Sequence, residues 1–270
     1  MFCACNAYMN DVQNSLTGAC DESPSGFCQT MIHANLARVL VTGASRGLGA
    51  ALARALVESG YRVFLGARNE HELRARAESI ERTFHTRVGW SRVDLRSAAE
   101  CRTLVAAAES HLGGIDVLIN NAGVGAYKPL GEWSRDEIVD TLALNLTAPM
   151  LLAHAVLPGM LARGCGYIVN VASDLARRPL ANMAPYVASK FGLLGFGASL
   201  HREVRERGVR VTTVMPGIID SAFNEGKEGT KDARWALPTS AVAARIVDLL
   251  ALPHQVVIDE LTIHPAGGDY

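Results

Sequence analysis

"ARVLVTGASRGLGAALARALVESG", residues 37–60, decides the fold. It begins with a short apolar run rich in valine, which suits a strand buried on both faces. The segment "LGAALARALVESG" then follows with helical period and stops at Gly60. Between the two lies "TGASRGLG", residues 42–49, whose Gly43, Gly47 and Gly49 open the helix. Glycine lets the backbone turn tightly and approach a ligand, and the first helical turn offers unpaired N–H groups at its positive end. A strand, a glycine turn and a helix in this order favour a bound pyrophosphate over a purely structural turn. The spacing is G-x3-G-x-G, not the G-x-G-x-x-G of the usual dinucleotide fingerprint.

The alternation continues along the chain. Strands are expected at "YRVFLGA", "VGWSRVD", "DVLIN", "YIVNVAS" and "VRVTTVMP", with a closing strand "QVVIDELTIH". Helices are expected at "EHELRARAESIERTF", at 97–112, from about Ser134 to Arg163, around Tyr186 and Lys190, and at about 239–251. Residues 218–237 are polar and irregular. Strands alternating with helices give an α/β fold with a parallel sheet, and right-handed crossovers make it doubly wound. The expectation is one Rossmann-type domain over 36–270, of about seven strands with helices on both faces. Ligands of such sheets bind beyond the carboxyl ends of the strands, where the winding reverses.

The bulk properties narrow the functions. The 26 basic and 27 acidic residues leave a net charge of −1, which speaks against a nucleic-acid or acidic-membrane partner. The chain is 49% apolar, so it can bury a sizeable core, yet no apolar run approaches the ~20 residues that span a bilayer. A soluble, cytoplasmic protein is expected. Cys3, Cys5, Cys20 and Cys28 cluster near the start but lack the paired C-x2-C form of a zinc site. The eight histidines show no ligand spacing, so no metal is expected. Residues 1–35 hold no Lys or Arg and no apolar h-region. Their composition reads as a disordered N-terminal extension, with Met31 a candidate start.

"APYVASKFGLLGF" places Tyr186 and Lys190 four residues apart, on one face of a helix. A lysine beside a phenol favours the phenolate and lowers a pKa that starts near ~10. Such a tyrosine could exchange a proton near neutral pH. The same spacing is common on ordinary amphipathic helices, so the pair alone decides nothing.

Taken in order, "TGASRGLG", "NNAG" at 120–123, Asn145, Ser173, "YVASK" and "PG" at 216–217 form a specific set. The chain resembles the short-chain dehydrogenase/reductase family, in its single-domain branch, over about residues 37–264. The resemblance implies a hydride transfer between a nicotinamide cofactor and a carbonyl or alcohol. Tyr186 would be the general acid/base. Lys190 would lower the Tyr186 pKa and bind the nicotinamide ribose. Ser173 would hydrogen-bond the substrate oxygen, and Asn145 would hold a water in the proton relay. Asp94 would accept from the adenine amino group, with Leu95 beside it. Ser45 and Leu48 would join the glycines of the loop at the cofactor. Asn121 would tie strands together, while Ala122 and Gly123 leave room for the adenine-side ribose. Pro216, Gly217 and Ile218 would pass along the carboxamide. Ser221 is the nearest hydroxyl where the family often has threonine. Residues 218–237, with Phe223, Lys227, Lys231 and Trp235, would form the lid, and Tyr127, Leu175 and Met183 could also face the pocket.

The end of the second strand speaks to the cofactor. An acid usually stands there in NAD enzymes, to bind the ribose 2′-hydroxyl. This chain has Ala67, followed by Arg68, with Arg46 inside the glycine loop. Two guanidinium groups and no acid suit the 2′-phosphate of NADP(H). Two other functions are weighed. A nucleotide-binding sensor would dispense with Ser173, Tyr186 and Lys190, which are all present. A nucleotide-sugar epimerase or dehydratase would need a larger C-terminal region. The resemblance further implies a homodimer or homotetramer, assembled through the long helices.

Overall fold

The computed structural model describes residues 37–221, 223, 226 and 228–267. The N-terminal extension, with its four cysteines and Met31, and Lys227 lie outside the described residues. The first half runs β1 (Arg38–Thr42), α1 (Gly47–Glu58), β2 (Arg62–Ala67), α2 (Glu70–Phe84), β3 (Gly89–Arg92), α3 (Ala98–Leu112) and β4 (Val117–Asn120). Then come α4 (Arg135–Leu142), a π-helical turn (Ala143–Thr147) and α5 (Ala148–Arg163). The chain continues with β5 (Gly166–Val171), α6 (Ala184–Val204), β6 (Val209–Pro216), β7 (Ile219–Asp220), β8 (Leu237–Pro238), α7 (Thr239–Ala251) and β9 (Glu260–Ile263).

Seven strands form one sheet in the order β3-β2-β1-β4-β5-β6-β9, and every neighbouring pair is parallel. The expected Rossmann-type doubly wound fold is therefore the observed one. Side chains alternate across the pleat. Val39 and Val41 of β1 face one way, against Leu52 and Leu56 of α1 and Ile246 of α7. Leu40 faces the other way, with Leu104 of α3 and Leu152 and Val156 of α5. Both faces are covered, so the strands read as unbroken apolar runs. The winding reverses between β1 and β4, which pair with each other although α1 to α3 intervene in sequence. A crevice opens at their carboxyl ends.

Element boundaries depart from the sequence reading in three places. Only Glu260–Ile263 of "QVVIDELTIH" is a strand, because 256–258 hold no place in the sheet beside β6. Segment 218–237 is not wholly irregular: its two ends pair as β7 and β8, with Ile219 opposite Leu237. The helical stretch Arg135–Arg163 is long and apolar enough to cross a bilayer by length and composition, contrary to the sequence expectation. It is a core helix here, with Leu152, Val156 and Met160 buried in the sheet-packing cluster.

Arg38 and Asp116 fasten the amino ends of β1 and β4. The Arg38 guanidinium donates to Asp116 through Nε (2.8 Å) and a terminal nitrogen (2.6 Å), and its backbone N–H adds a bond of 3.0 Å. Burial disfavours the Asp116 carboxylate, but these bonds outweigh it and hold its pKa below the ordinary value. A folded pKa below the unfolded one stabilises above the unfolded value and is lost as pH falls through the folded one. Asp116→Asn is expected to cost about 1.5–3 kcal/mol at neutral pH. Urea unfolding at neutral pH and below about pH 4 checks this: the gap from wild type should shrink in acid.

Candidate active site

The glycine turn and the end of β4 are held in backbone contact. Gly43 and Gly47 adopt φ of +67° and +55°, where a side chain would be strained. A Cβ on Gly43 would lie 2.8 Å from the Ala122 Cα, and one on Gly49 would collide with the Gly43 carbonyl. Thr42 Oγ1 donates to the Ile119 carbonyl (3.2 Å) and accepts the N–H groups of Asn121 (3.0 Å) and Ala122 (3.1 Å). The Asn121 amide donates to the Thr42 carbonyl at 2.9 Å. Asn121 thus ties β1 to β4 as expected, and Thr42, which sequence reasoning passed over, is the other half of that knot. The first turn of α1 has no side-chain cap and no acid, so its N–H groups face the crevice without an internal anion. Arg46 is exposed at the N-cap and Ser45 is half-buried, whereas Leu48 points into the core.

At the carboxyl end of β2, Ala67 is buried and Arg68 is exposed next to it. Arg68 and Arg96 line a 210 Å³ cavity with Val124, Gly125, Asp140 and Thr141. The Asp94 carboxylate accepts from the Arg96 Nε at 2.9 Å, and Arg96 also grips Asp140. The Arg96 bond draws the Asp94 pKa down to about 2, with Arg68 adding to the pull. The side chain is an ion-pair partner that keeps further acceptor lone pairs. Leu95 is buried in the core, so only its backbone can face a ligand.

The α6 helix starts at Ala184 with Pro185 in its first turn, which suits the missing N–H of proline. That start buries Tyr186, Ser189 and Lys190 on the sheet side. The Lys190 ammonium donates to the Val171 carbonyl at 2.9 Å and lies 5.7 Å from the Tyr186 ring centre. Ser173 lies buried at the end of β5 and draws the Tyr186 phenol's pKa downward. Its Oγ also accepts the Leu175 N–H (3.2 Å) and donates to Asp174 (3.0 Å).

The electrostatics run against the sequence expectation. Burial pushes the Tyr186 phenol up to about 12, with Ser173 pulling down and Asp174 pushing further up. Burial also pushes Lys190 down to about 8. Desolvation penalises each charged form, and here it outweighs any gain of the phenolate from the lysine. Burial in this arrangement favours the neutral phenol.

Asn145 sits in the π-helical turn. Its side chain accepts the Val124 N–H (2.9 Å) and donates to the Val124 carbonyl (2.7 Å) and to Ser189 Oγ (3.0 Å). Ser189 donates in turn to the Tyr186 carbonyl at 2.6 Å. The amide thus braces the loop after β4 against α6, and its Oδ1 keeps one lone pair. Gly123 lies between Asn145 and Lys190: a Cβ there would be 3.3 Å from the Asn145 Oδ1 and 3.6 Å from the Lys190 Nζ. Gly125 was missed. A Cβ there would meet the Tyr186 ring at 2.7 Å, so the loop backbone rests on the ring.

Beyond β6, Gly217 N–H donates to the Ile263 carbonyl at 2.9 Å, and Pro216 closes the strand. Ile218 is exposed. Ser221 is buried, 3.5 Å from where a Gly47 Cβ would stand. The Phe223 ring lies 5.9 Å from that of Tyr186, so segment 218–237 reaches the site. Lys231 donates to the carbonyls of Ile219 and Ser221 (both 3.1 Å), bracing that segment. Tyr127 and Trp235 are exposed, Leu175 is half-buried and Met183 is buried. Among the described residues no group of three or more His, Cys, Asp or Glu could hold a metal.

The model of the short chain dehydrogenase family matches residues 37–232. The chain belongs to this family of oxidoreductases. A 3-oxoacyl-(acyl-carrier-protein) reductase FabG of Vibrio cholerae is 34% identical over 240 residues, covering 86% of this chain and 96% of the relative. An alcohol dehydrogenase of the archaeon Thermococcus sibiricus, solved with 5-hydroxy-NADP, superposes with a TM-score of 0.81 at 28% identity. That match covers 86% of this chain and 97% of the other. An actinorhodin polyketide ketoreductase variant, solved with NADPH, is 32% identical with a TM-score of 0.77, covering 88% and 99%.

The glycine packing yields a test. Gly49→Ala is expected to destabilise by about 1–3 kcal/mol, since its methyl has backbone on the other side. Gly195→Ala, on α6, meets nothing within 4 Å. It should be neutral or stabilising by up to about 1 kcal/mol. Thermal melting of the two variants compares them directly.

Proposed function

We propose that this chain is an NADP(H)-dependent carbonyl reductase or alcohol dehydrogenase in which Ser173, Tyr186, Lys190 and Asn145 form the working set. The observation that carries the reading is the burial of Ser173, Tyr186 and Lys190 together at the carboxyl edge of the sheet, with the Lys190 ammonium 5.7 Å from the Tyr186 ring centre. Reduction of a carbonyl builds negative charge on oxygen. Two hydroxyls directed at one point stabilise that charge, and the neutral phenol delivers the proton. Lys190, bound to Val171, would hold the nicotinamide ribose hydroxyls and return a proton to the phenolate left after Tyr186 has donated. Asn145 acts through position, holding α6 and the loop after β4 together.

The crevice fits the cofactor in its own residues. The uncapped start of α1 and the Gly43–Gly49 turn form a cradle that side chains would fill, which suits a pyrophosphate. Arg68 and Arg46 supply charge for the 2′-phosphate, and the alanine at position 67 brings no repelling acid. Asn121, Ala122 and Gly123 leave space for the ribose, and Pro216, Gly217 and Ile218 line the carboxamide side. When bound, NADP(H) supplies or accepts the hydride. Segment 218–237 acts as the substrate lid. Tyr127, Ile218 and Phe223 offer exposed apolar surface there, which favours a ketone with an apolar arm. The relatives that reduce 3-oxoacyl and polyketide substrates support this class. A homodimer or homotetramer follows from the same kinship.

Absorbance of NADPH across a panel of ketones and alcohols tests the reading. Tyr186→Phe should lower kcat by about 10²–10⁴-fold while NADPH still binds. Lys190→Ala should weaken both turnover and cofactor binding. Near-normal turnover of Tyr186→Phe would reduce the tyrosine to a packing residue.

Cofactor preference gives a narrower test. A charged hydrogen bond is worth about 1.5–3 kcal/mol, which is roughly ten- to hundred-fold in binding. Arg68→Ala should raise the KM for NADPH by that factor and barely change NADH. Adding Ala67→Asp should turn preference towards NADH. A wild type that prefers NADH would leave Arg46 and Arg68 as solvated surface groups.

A further inference from the structure

We infer that Arg96 is a specificity-determining residue: it binds the carboxylates of Asp94 and Asp140 at the cavity it shares with Arg68, and so leaves the charge of Arg68 to a 2′-phosphate. The inference rests on the reading of Arg68 as a partner of that phosphate. Arg96 stands two residues after Asp94 and 44 before Asp140 in the chain. Along the sequence it is one more arginine in a polar turn. The fold gives it two acids to hold.

The strand ends set this up. β2 and β3 run parallel, with Ala67 opposite Arg92, and the Val93 N–H donates to the Ala67 carbonyl at 2.9 Å. Arg68 and Asp94 therefore leave the sheet side by side. The turn after Asp94 then folds Arg96 back. Its Nε donates to Asp94 Oδ1 at 2.9 Å and to Oδ2 at 3.1 Å, and its backbone N–H donates to Oδ1 at 3.1 Å. A terminal nitrogen of the same guanidinium donates to Asp140 of α4. The planar fork of arginine suits this double grip, which a lysine would make only as a point charge.

Arg68, Arg96, Glu137 and Asp140 are the charged residues that line the 210 Å³ cavity. Glu137 is paired with Lys128 at 2.7 Å, and Asp140 with Arg96. Among the described residues Arg68 forms no salt bridge. The clasp of Asp94, Arg96 and Asp140 holds two negative charges and one positive. Without Arg96 both carboxylates would stand unpaired beside Arg68. They would compete for its guanidinium and repel an incoming phosphate. The Asp94 and Asp140 side chains are 21% and 45% exposed, so solvent reduces the repulsion without removing it. A ligand with a free 2′-hydroxyl carries no charge at that position. The effect is therefore confined to the phosphorylated cofactor.

The test is the binding of 2′,5′-ADP and of 5′-AMP to the full-length protein, read by titration calorimetry and needing no turnover. The two ligands share the 5′-phosphate and differ only in the 2′-phosphate. Arg96→Gln should weaken 2′,5′-ADP by roughly three- to tenfold and leave 5′-AMP within about twofold. Arg96→Lys, which keeps the charge, should stay close to wild type. Asp140→Asn should raise the preference for 2′,5′-ADP over 5′-AMP. Combining Arg96→Gln with Asp140→Asn restores the wild-type charge of the group and should return the preference towards wild type. In ~1 M salt, where charges are screened beyond ~3 Å, these differences should shrink. An unchanged preference in Arg96→Gln would overturn the inference. So would an equal loss of both ligands, or a weakened preference in Asp140→Asn, either of which would make the clasp a structural brace only. A wild type that binds both ligands equally would defeat the reading of Arg68. A fall in relative 2′,5′-ADP affinity in Arg96→Gln would even then uphold the role of Arg96.

Discussion

The close approach of two backbones, the turn after β1 and the end of β4, is the constraint on which the rest of the site depends. It exists because the sheet reverses its winding there, leaving two strand ends side by side with no helix between them. Polar backbone groups brought together at a strand end must find partners. Thr42 Oγ1 and the Asn121 amide supply them, and Gly43 and Gly49 make the approach sterically possible. The loop that continues from Asn121 is thereby fixed in height. Gly123 can then pass between Asn145 and Lys190, and Gly125 can lie on the Tyr186 ring. A larger residue at any of these positions would lift the loop from α6.

Burial then supplies the chemistry. The first two turns of α6 carry Tyr186, Ser189 and Lys190 into a region almost closed to solvent. Tyr186 and Lys190 both lose hydration there, and both shift towards the uncharged form. Hydrogen bonds from Lys190 to Val171 and from Ser189 to the Tyr186 carbonyl hold the geometry without adding charge. The surrounding ion pairs stand further off, at Asp94–Arg96–Asp140 on one flank and Arg177–Glu260 on the other.

Much of this architecture was legible in the chain. The period of "ARVLVTG" and "LGAALARALVESG", repeated down the sequence, specifies strands and helices because burial on both faces of a parallel sheet demands unbroken apolar runs. The strand "VRVTTVMP" occupies the residues its pattern marks, 209–216. The helix at 239–251 does so as well. Local chemistry accounts for this: caps, glycines and side-chain periodicity act within a few residues. The glycine turn and the tyrosine–lysine pair were readable for the same reason, each being contained in one short segment.

What only the tertiary structure decided is what those side chains meet across long separations. Sequence spacing put Lys190 beside Tyr186 and led to a lowered phenol pKa, but it carries no measure of desolvation, which reverses the sign. It singled out Asp94, but not that Arg96 turns back on it and that Asp140 joins from α4. It singled out Asn145, but not that its amide binds Val124 and Ser189. Asp174 and His264 come together only because β9 adds to the edge of β6. Periodicity is a property of neighbours along the chain and so survives in the sequence. Dielectric, hydrogen-bond competition and long-range pairing arise from packing, and exist only once the chain has folded.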